Sequence, residues 1–266
     1  MANNLKILIL AAGKGTRMNS SFPKVLHHLN DKSMLEHVLE QSKLLNPKKI
    51  FVLINKEMRF VTKLFPKENF LIQQPQLGTG HAVMTFLNKV KISDNEKLLV
   101  LYGDNPLVEK KDIQLMFEKI KKNNLVLLGF KKINNQSYGI IVKNKKGIDK
   151  IVEFKEASKK ERKINICNSG MMAFDNKALK LIKNIQNNNK KKEYYLTDIV
   201  EISKKNGLKI NLVLSDSEKN AVGVNSQIEL IEAEQIMQER LRKKFIKQGV
   251  KFIDPNTVYF SSDTKI

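Results

Sequence analysis

Leu5 to Leu10 is apolar except for Lys6, the pattern of a strand buried on both faces of a sheet. Ile50 to Ile54, Phe70 to Ile72, Leu98 to Tyr102 and Leu125 to Phe130 are further strand-like runs. Between them lie helical stretches. One starts at Ser33, three residues before Glu36, a capping-box spacing, and stays periodic through Leu45. Ala82 to Val90 and Asp112 to Lys122 read as two more helices. Strand and helix thus alternate, which predicts a doubly wound, mostly parallel sheet covered on both faces. After Gln136 the pattern changes. Tyr138 to Val142, Ile148 to Phe154 and Met171 to Phe174 are strand-like, and helices are expected after Asp175 and over Leu196 to Lys204. This second half reads as an antiparallel extension folded onto the same sheet. Ser226 and Glu229 repeat the capping-box spacing before a helix that runs to Gly249 and is expected to be exposed. Asp254-Pro255 is expected to end regular structure, and no internal repeat is visible.

Composition narrows the class. Of 266 residues, 41% are hydrophobic, enough for a substantial core. The single cysteine, Cys167, excludes an intrachain disulfide and reads as a small buried hydrophobe. Ile7 to Ala12 is too short to span a membrane and lacks a signal-peptide cleavage site, so a cytoplasmic protein is expected. The net charge of +21 invites a nucleic-acid partner. The Lys runs at 121–124 and 187–193, however, are mixed with Asn and carry few Arg or aromatics. Such runs read as compositional drift, and they argue against that partner.

Candidate chemistry sits at the strand ends. In open parallel sheets, ligands bind beyond the carboxyl ends of the strands. Gly13 to Arg17 follows the first strand and Gly103-Asp104 follows the Leu98 strand, so both turns are expected on one edge, in one shared site. Gly13 and Gly15 allow backbone N–H groups to approach an anion. Arg17 adds a planar fork for phosphate oxygens, and Lys24, projected after Pro23, adds a point charge. An ordinary turn with solvated cations would look the same. The pattern is not a P-loop, and Met18 stands where a dinucleotide fingerprint needs glycine. His27, His28, His37 and His81 show no metal-ligand spacing and receive no catalytic role.

Leu10-Ala11-Ala12-Gly13-Lys14-Gly15-Thr16-Arg17-Met18, followed by Pro23-Lys24-Val25-Leu26-His27, resembles the nucleotide-binding signature of bacterial N-acetylglucosamine-1-phosphate uridylyltransferases, in the sugar nucleotidyltransferase superfamily. Gln73, the run Gln76 to Ala82, Leu101 to Asp104, Tyr138-Gly139, Ile151 to Glu153, Asn168 to Gly170, Glu193 to Asp198 and Gly223 to Asn225 match in the same order. The resemblance covers the chain to about Gly249. It implies a Rossmann-like, doubly wound mixed α/β sheet of the nucleotide-diphospho-sugar transferase type with a C-terminal helix. It also implies a nucleotidyltransferase domain over 1–225, divided near 135 into nucleotide-binding and sugar-binding halves, then a linker helix over 226–249 and a tail over 250–266.

The implied activity is transfer of UMP from UTP to N-acetylglucosamine 1-phosphate by direct in-line attack. Leu10, Ala11, Ala12, Gly13, Gln73, Gln76, Gly78, Thr79, Tyr102 and Gly103 fall on the nucleotide site. Gly139, Glu153, Asn168 and Thr197 fall on the sugar phosphate site. Arg17 and Lys24 take the catalytic positions, and Asp104 and Asn225 those of Mg2+ ligands. Asp104 could equally be a turn-forming residue, and Asn225 simply the neighbour of a helix cap. Two departures stand out. Ile140 occupies a position where relatives often carry Arg, and the chain stops at Ile266, about where a hexapeptide-repeat acetyltransferase domain would begin. Acetyltransferase activity is therefore expected to be absent, and a monomer or weak homo-oligomer is expected. Another sugar phosphate or base, or an idle nucleotide- or RNA-binding module, would be the alternatives.

Overall fold

The computed structural model describes residues 4–132, 138–145 and 147–266. The first apolar run forms β1 (Leu5–Leu10). Then come β2 (His28–Leu29) and β3 (Lys32–Ser33), a separate small hairpin. The sheet continues with β4 (Lys49–Ile54), β5 (Asn69–Ile72), β6 (Lys97–Tyr102) and β7 (Leu125–Lys131). From the second half come β8 (Gly139–Asn144), β9 (Gly147–Glu153), β10 (Ile166–Phe174) and β11 (Ile210–Leu214). The order is β11-β7-β10-β6-β1-β4-β5, with β8 and β9 attached beside β10. β1 pairs parallel with β4 and β6, β4 with β5, and β7 with β11. β10 runs antiparallel to both β6 and β7.

The second half is therefore more than an extension at an edge. β10 is inserted in the middle of the sheet, and β11, an edge strand absent from the sequence reading, lies beyond β7. The change expected after Gln136 falls outside the described residues, as does the 135/136 boundary.

Side-chain alternation along β1 divides the core. Leu5, Ile7 and Ile9 join Leu35, Val38 and Met116 on one face of the sheet. Leu8 and Leu10 join Val83, Phe86, Leu179 and Leu196 on the other. Cys167 is fully buried in the first of these clusters, and burial pushes its thiol up to about 11, in keeping with a packing role. Ser33 caps the Met34–Lys43 helix in a complete capping box. The helix expected from Ala82 begins earlier, at Thr79, with Gly80 in its first turn, where a Cβ would come 2.9 Å from the Tyr194 carbonyl oxygen. Leu196–Asp198 is a 3-10 turn, with the α-helix confined to Ile199–Lys205.

The Gln227–Lys247 helix is docked against the domain, with its inner side buried. Ala233 packs with Leu29, Met34, Leu107 and Val224. Gln238 donates to Asn30 and to the Phe260 carbonyl, and Arg240 donates to the Leu107 carbonyl. The helix ends through Gly249 at φ +94°. The Ser226 box is only half formed: Ser226 accepts from the Glu229 N–H, but the Glu229 carboxylate accepts from the Asn225 N–H. Regular structure also persists past Asp254, as a 3-10 turn over Pro255–Thr257. Among the described residues no helix is long and apolar enough to cross a membrane.

Lys6, the polar interruption in β1, is explained by Glu96. The two form a buried ion pair at 2.6 Å, and Lys48 meets the other carboxylate oxygen at 2.7 Å. Burial opposes the Glu96 charge, but hydrogen bonds from Lys48, Lys6 and the Ser93 N–H outweigh it and hold the carboxyl at about 2, against an ordinary 4.5. A depressed carboxylate pKa stabilises the fold above the ordinary value, and that contribution disappears as pH falls through about 2. Glu96→Gln is expected to lose about 2 kcal/mol at pH 7. It should also flatten the fall in stability below pH 4.5. Urea melts at pH 7, 4 and 3 check both effects.

Candidate active site

β1 delivers the chain to the sheet edge at Ala11, whose N–H still donates to the Leu53 carbonyl at 2.8 Å. The next carbonyl, that of Ala12, accepts from Asn55 Nδ2 at 3.3 Å and from Gln76 Nε2. With Ala12 held, the loop turns outward. Gly13 has open space where a Cβ would lie, and Gly15, at φ +65°, passes so close to Lys24 that a Cβ would come within 2.7 Å of it. Met18 is fully buried and anchors the turn, leaving Arg17 exposed at the rim. Val25 and Leu26 are buried and anchor the next turn, which fixes the base of Lys24.

The end of β6 meets this loop. Gly103 does not line the cleft. Its N–H donates to the Leu10 carbonyl at 2.9 Å, and a Cβ there would sit 3.2 Å from Val25 Cγ1 and 3.3 Å from Ala11 Cβ. Gly103 is therefore the tight joint that lets the two strand ends lie together. Asp104 follows, its carbonyl accepting from the Val224 N–H at 2.7 Å, which ties the distant 223–225 segment to the site. Lys24 Nζ bonds Asp104 Oδ2 and, at 3.0 Å, Asn225 Oδ1. Arg17 donates to the same Asn225 oxygen at 2.9 Å. Two cations thus face one carboxylate, leaving a local positive excess suited to phosphates.

A second wall comes from the start of the Thr79–Lys89 helix. Gly78 adopts φ +100° with the Tyr194 carbonyl where a Cβ would be, at 2.7 Å. The Tyr194 N–H donates to Leu77 O at 2.8 Å, and the Gly80 N–H to Tyr194 O at 2.7 Å. Thr79 Oγ1 accepts from the Leu196 N–H at 3.1 Å. These bonds clamp the 193–197 segment against the helix start and bring Thr197 to the cleft.

The sheet extension supplies the remaining wall. Gly139 on β8 lies opposite Glu153 on β9. Asn168 stands on β10 beside a register shift, and Gly170, at φ +88°, lies under the Tyr102 ring. Burial, then the nearby Asp104, raises the Tyr102 pKa, so its hydroxyl stays neutral. Desolvation by the cleft walls, with Glu156, also pushes the Glu153 carboxyl up, while Lys191 pulls it down. Asn168 Oδ1 is buried without a hydrogen-bond partner among the described residues. A buried acceptor left in that state, in a cleft, points to a donor arriving with a ligand. Ile140 is fully buried, paired with Cys167, and does not reach the cleft.

These walls enclose a cleft of about 810 Å3. Leu10, Ala11, Ala12, Gly13, Arg17, Lys24, Gln73, Gln76, Gly78, Thr79, Tyr102, Asp104, Gly139, Glu153, Asn168, Thr197 and Asn225 all line it. Lys191 and Tyr195 line it too. Lys191 lies in the Lys/Asn-rich run read as drift, where no local pattern separates it from its neighbours. Among the described residues, no group of three or more His, Cys, Asp or Glu is placed to hold a metal ion.

The chain matches the model of the MobA-like NTP transferase domain over residues 7–164. It is 39% identical to the bifunctional protein GlmU of Paramagnetospirillum magneticum, over 100% of this chain and 60% of that protein. Identity to the bifunctional protein GlmU of Campylobacter jejuni subsp. doylei is 42%, over 97% of this chain and 60% of the relative. For Clostridioides difficile the value is 38%, over 99% and 58%. The chain thus spans about three fifths of the length of these relatives.

Proposed function

The chain belongs to the MobA-like NTP transferase domain family, and from that premise we propose that it transfers UMP from UTP to N-acetylglucosamine 1-phosphate, releasing pyrophosphate. The observation that carries this reading is the convergence in one cleft of two groups. One is the Lys24, Asp104, Asn225 and Arg17 cluster; the other comprises Glu153 and the unpartnered Asn168 Oδ1. The first suits a polyphosphate. The second suits a sugar, with Asn168 Oδ1 free to accept an acetamido N–H and Glu153 to accept from hydroxyls.

In the reaction, an oxygen of the sugar phosphate attacks the α-phosphorus of UTP, and the bond to the β-phosphate oxygen breaks as pyrophosphate leaves. The nucleophile is already ionised at neutral pH, so no side chain has to take a proton. The loop around Gly13 and Gly15 offers backbone N–H groups to the triphosphate. Lys24 stabilises the transferring group and Arg17 the departing pyrophosphate, so that catalysis is positioning and charge neutralisation.

The donor set of Asp104 and Asn225 fits Mg2+. Both oxygens already bond one positive charge, the Lys24 ammonium, and a hard ion that keeps waters and substrate phosphates needs few protein ligands. Bound there, Mg2+ would neutralise charge on the reacting phosphates. Thr197 stands near the sugar phosphate in this reading, while Leu10 to Ala12, Gln76, Gly78 and Thr79 surround the nucleoside.

Pyrophosphate release from UTP, Mg2+ and N-acetylglucosamine 1-phosphate is the test, with glucose 1-phosphate and other nucleoside triphosphates in parallel. Fastest release with UTP and the N-acetyl sugar, abolished by chelation, is expected. Faster release with another pair would replace the substrate assignment. No release with any pair would overturn the enzymatic reading.

A further inference from the structure

Gln73 lies just past β5, nearly buried, with its N–H bonded to the Ile54 carbonyl at 2.9 Å. Its Nε2 is 3.1 Å from the Gly78 carbonyl and 3.2 Å from His81 Nδ1. A backbone carbonyl only accepts, so the amide nitrogen, not the oxygen, must face Gly78. That assignment sets the second contact as well. The other N–H of the amide donates to Nδ1, which can accept only from a neutral imidazole protonated on Nε2. Burial lowers the His81 pKa, which favours the neutral ring. The imidazole is held on the Thr79–Lys89 helix with its centroid 6.2 Å from that of Tyr194. Both amide protons of Gln73 are thus spent inward. Its Oε1 has no partner among the described residues, and Gln73 lines the cleft, whereas His81 does not.

We propose that His81 is a positioning residue for base selection: it locks the Gln73 amide so that Oε1 is presented to the cleft as an acceptor, which takes the imide N3–H of uracil and turns away cytosine, whose N3 bears no hydrogen. The inference rests on the reading that a uridine nucleotide occupies this cleft. It places discrimination in the orientation of one amide, set by a ring that never touches the base. Without His81, the amide loses one of the two bonds that oppose its rotation. Turned over, Gln73 offers an N–H to the base and suits cytosine N3 instead.

The test is steady-state kinetics with UTP, CTP and N3-methyl-UTP on the wild type and on His81→Ala, His81→Leu and His81→Asn. Leu keeps the apolar volume against Tyr194 but has no acceptor. Asn restores an acceptor near the position of Nδ1. Ala and Leu are each expected to raise KM for UTP about 10-fold, with kcat within about twofold of wild type, and to shrink the preference for UTP over CTP about 10-fold. Asn should recover most of that preference, and the wild type should use N3-methyl-UTP poorly. Unchanged UTP KM and unchanged UTP/CTP preference in both Ala and Leu would overturn the proposal. A loss of kcat with the preference intact would do the same, by showing a purely structural role. A wild type that uses CTP as well as UTP would instead sink the underlying uridine reading.

Discussion

Asp104→Ala is expected to slow pyrophosphate release about 1,000-fold or more. Asp104 is the carboxylate of the oxygen pair that would hold Mg2+, and it is also the counter-ion of Lys24. Its removal would take away the charge proposed to retain the metal, and metal stabilisation of transferring phosphates is worth several kcal/mol. A thousandfold corresponds to about 4 kcal/mol. The fold should survive, because the contact that ties the end of β6 to the 223–225 segment uses the Asp104 backbone carbonyl, bonded to the Val224 N–H at 2.7 Å. Asp104→Asn keeps an oxygen but not the charge and should fall between. Mn2+ binding measured by electron paramagnetic resonance should weaken in the same order as turnover. Near-normal turnover in the alanine variant would remove Asp104 and the metal from the mechanism together.

Arg17→Ala is expected to cost about 100-fold in kcat/KM for UTP, the scale of losing one preorganised donor to a developing charge. Arg17 lies at the rim, where its guanidinium donates to Asn225 Oδ1 at 2.9 Å. The turn beneath it is held by buried Met18 and not by the guanidinium. The variant should therefore fold normally, and its defect should be chemical. Arg17→Lys keeps the charge without the planar fork and should recover only part of the loss. If the change were confined to KM for the sugar phosphate, Arg17 would not serve the leaving group.

How much of this was legible in the sequence differs from element to element. Buried parallel strands announce themselves as apolar runs, and every run read that way in the first half is a strand. β11 escaped although Ile210–Leu214 is apolar at every position but Asn211; the run is only five residues long, and as an edge strand it buries only Val213. The placement of β10 could not be read either. Its sequence says strand, but its neighbours are chosen by contacts with β6 and β7, tens of residues away. At the site, the loop after β1 and the turn after β6 could be placed on one edge from strand polarity alone. The 223–225 segment could be placed only through resemblance, since its bonds to Asp104, Lys24 and Arg17 join residues far apart in the sequence. The Gly103 N–H bond to Leu10 explains Gly103 as a joint between strands, and the cleft lining adds Lys191, whose charge acts on Glu153.

The insertion of β10 bears on how this architecture tolerates recombination. The matched family region ends at residue 164, two residues before β10 begins. A chimera joined there would take β6 and β7 from one parent and the strand wedged between them from the other. Each of the facing pairs Met172–Val100, Ala173–Leu99 and Phe174–Leu98 would then be a cross-parent match between buried side chains of the core. A graft that exchanges nucleotide specificity between relatives has to carry the chain through β11, because the module is closed by its strand order and not by its motif boundaries.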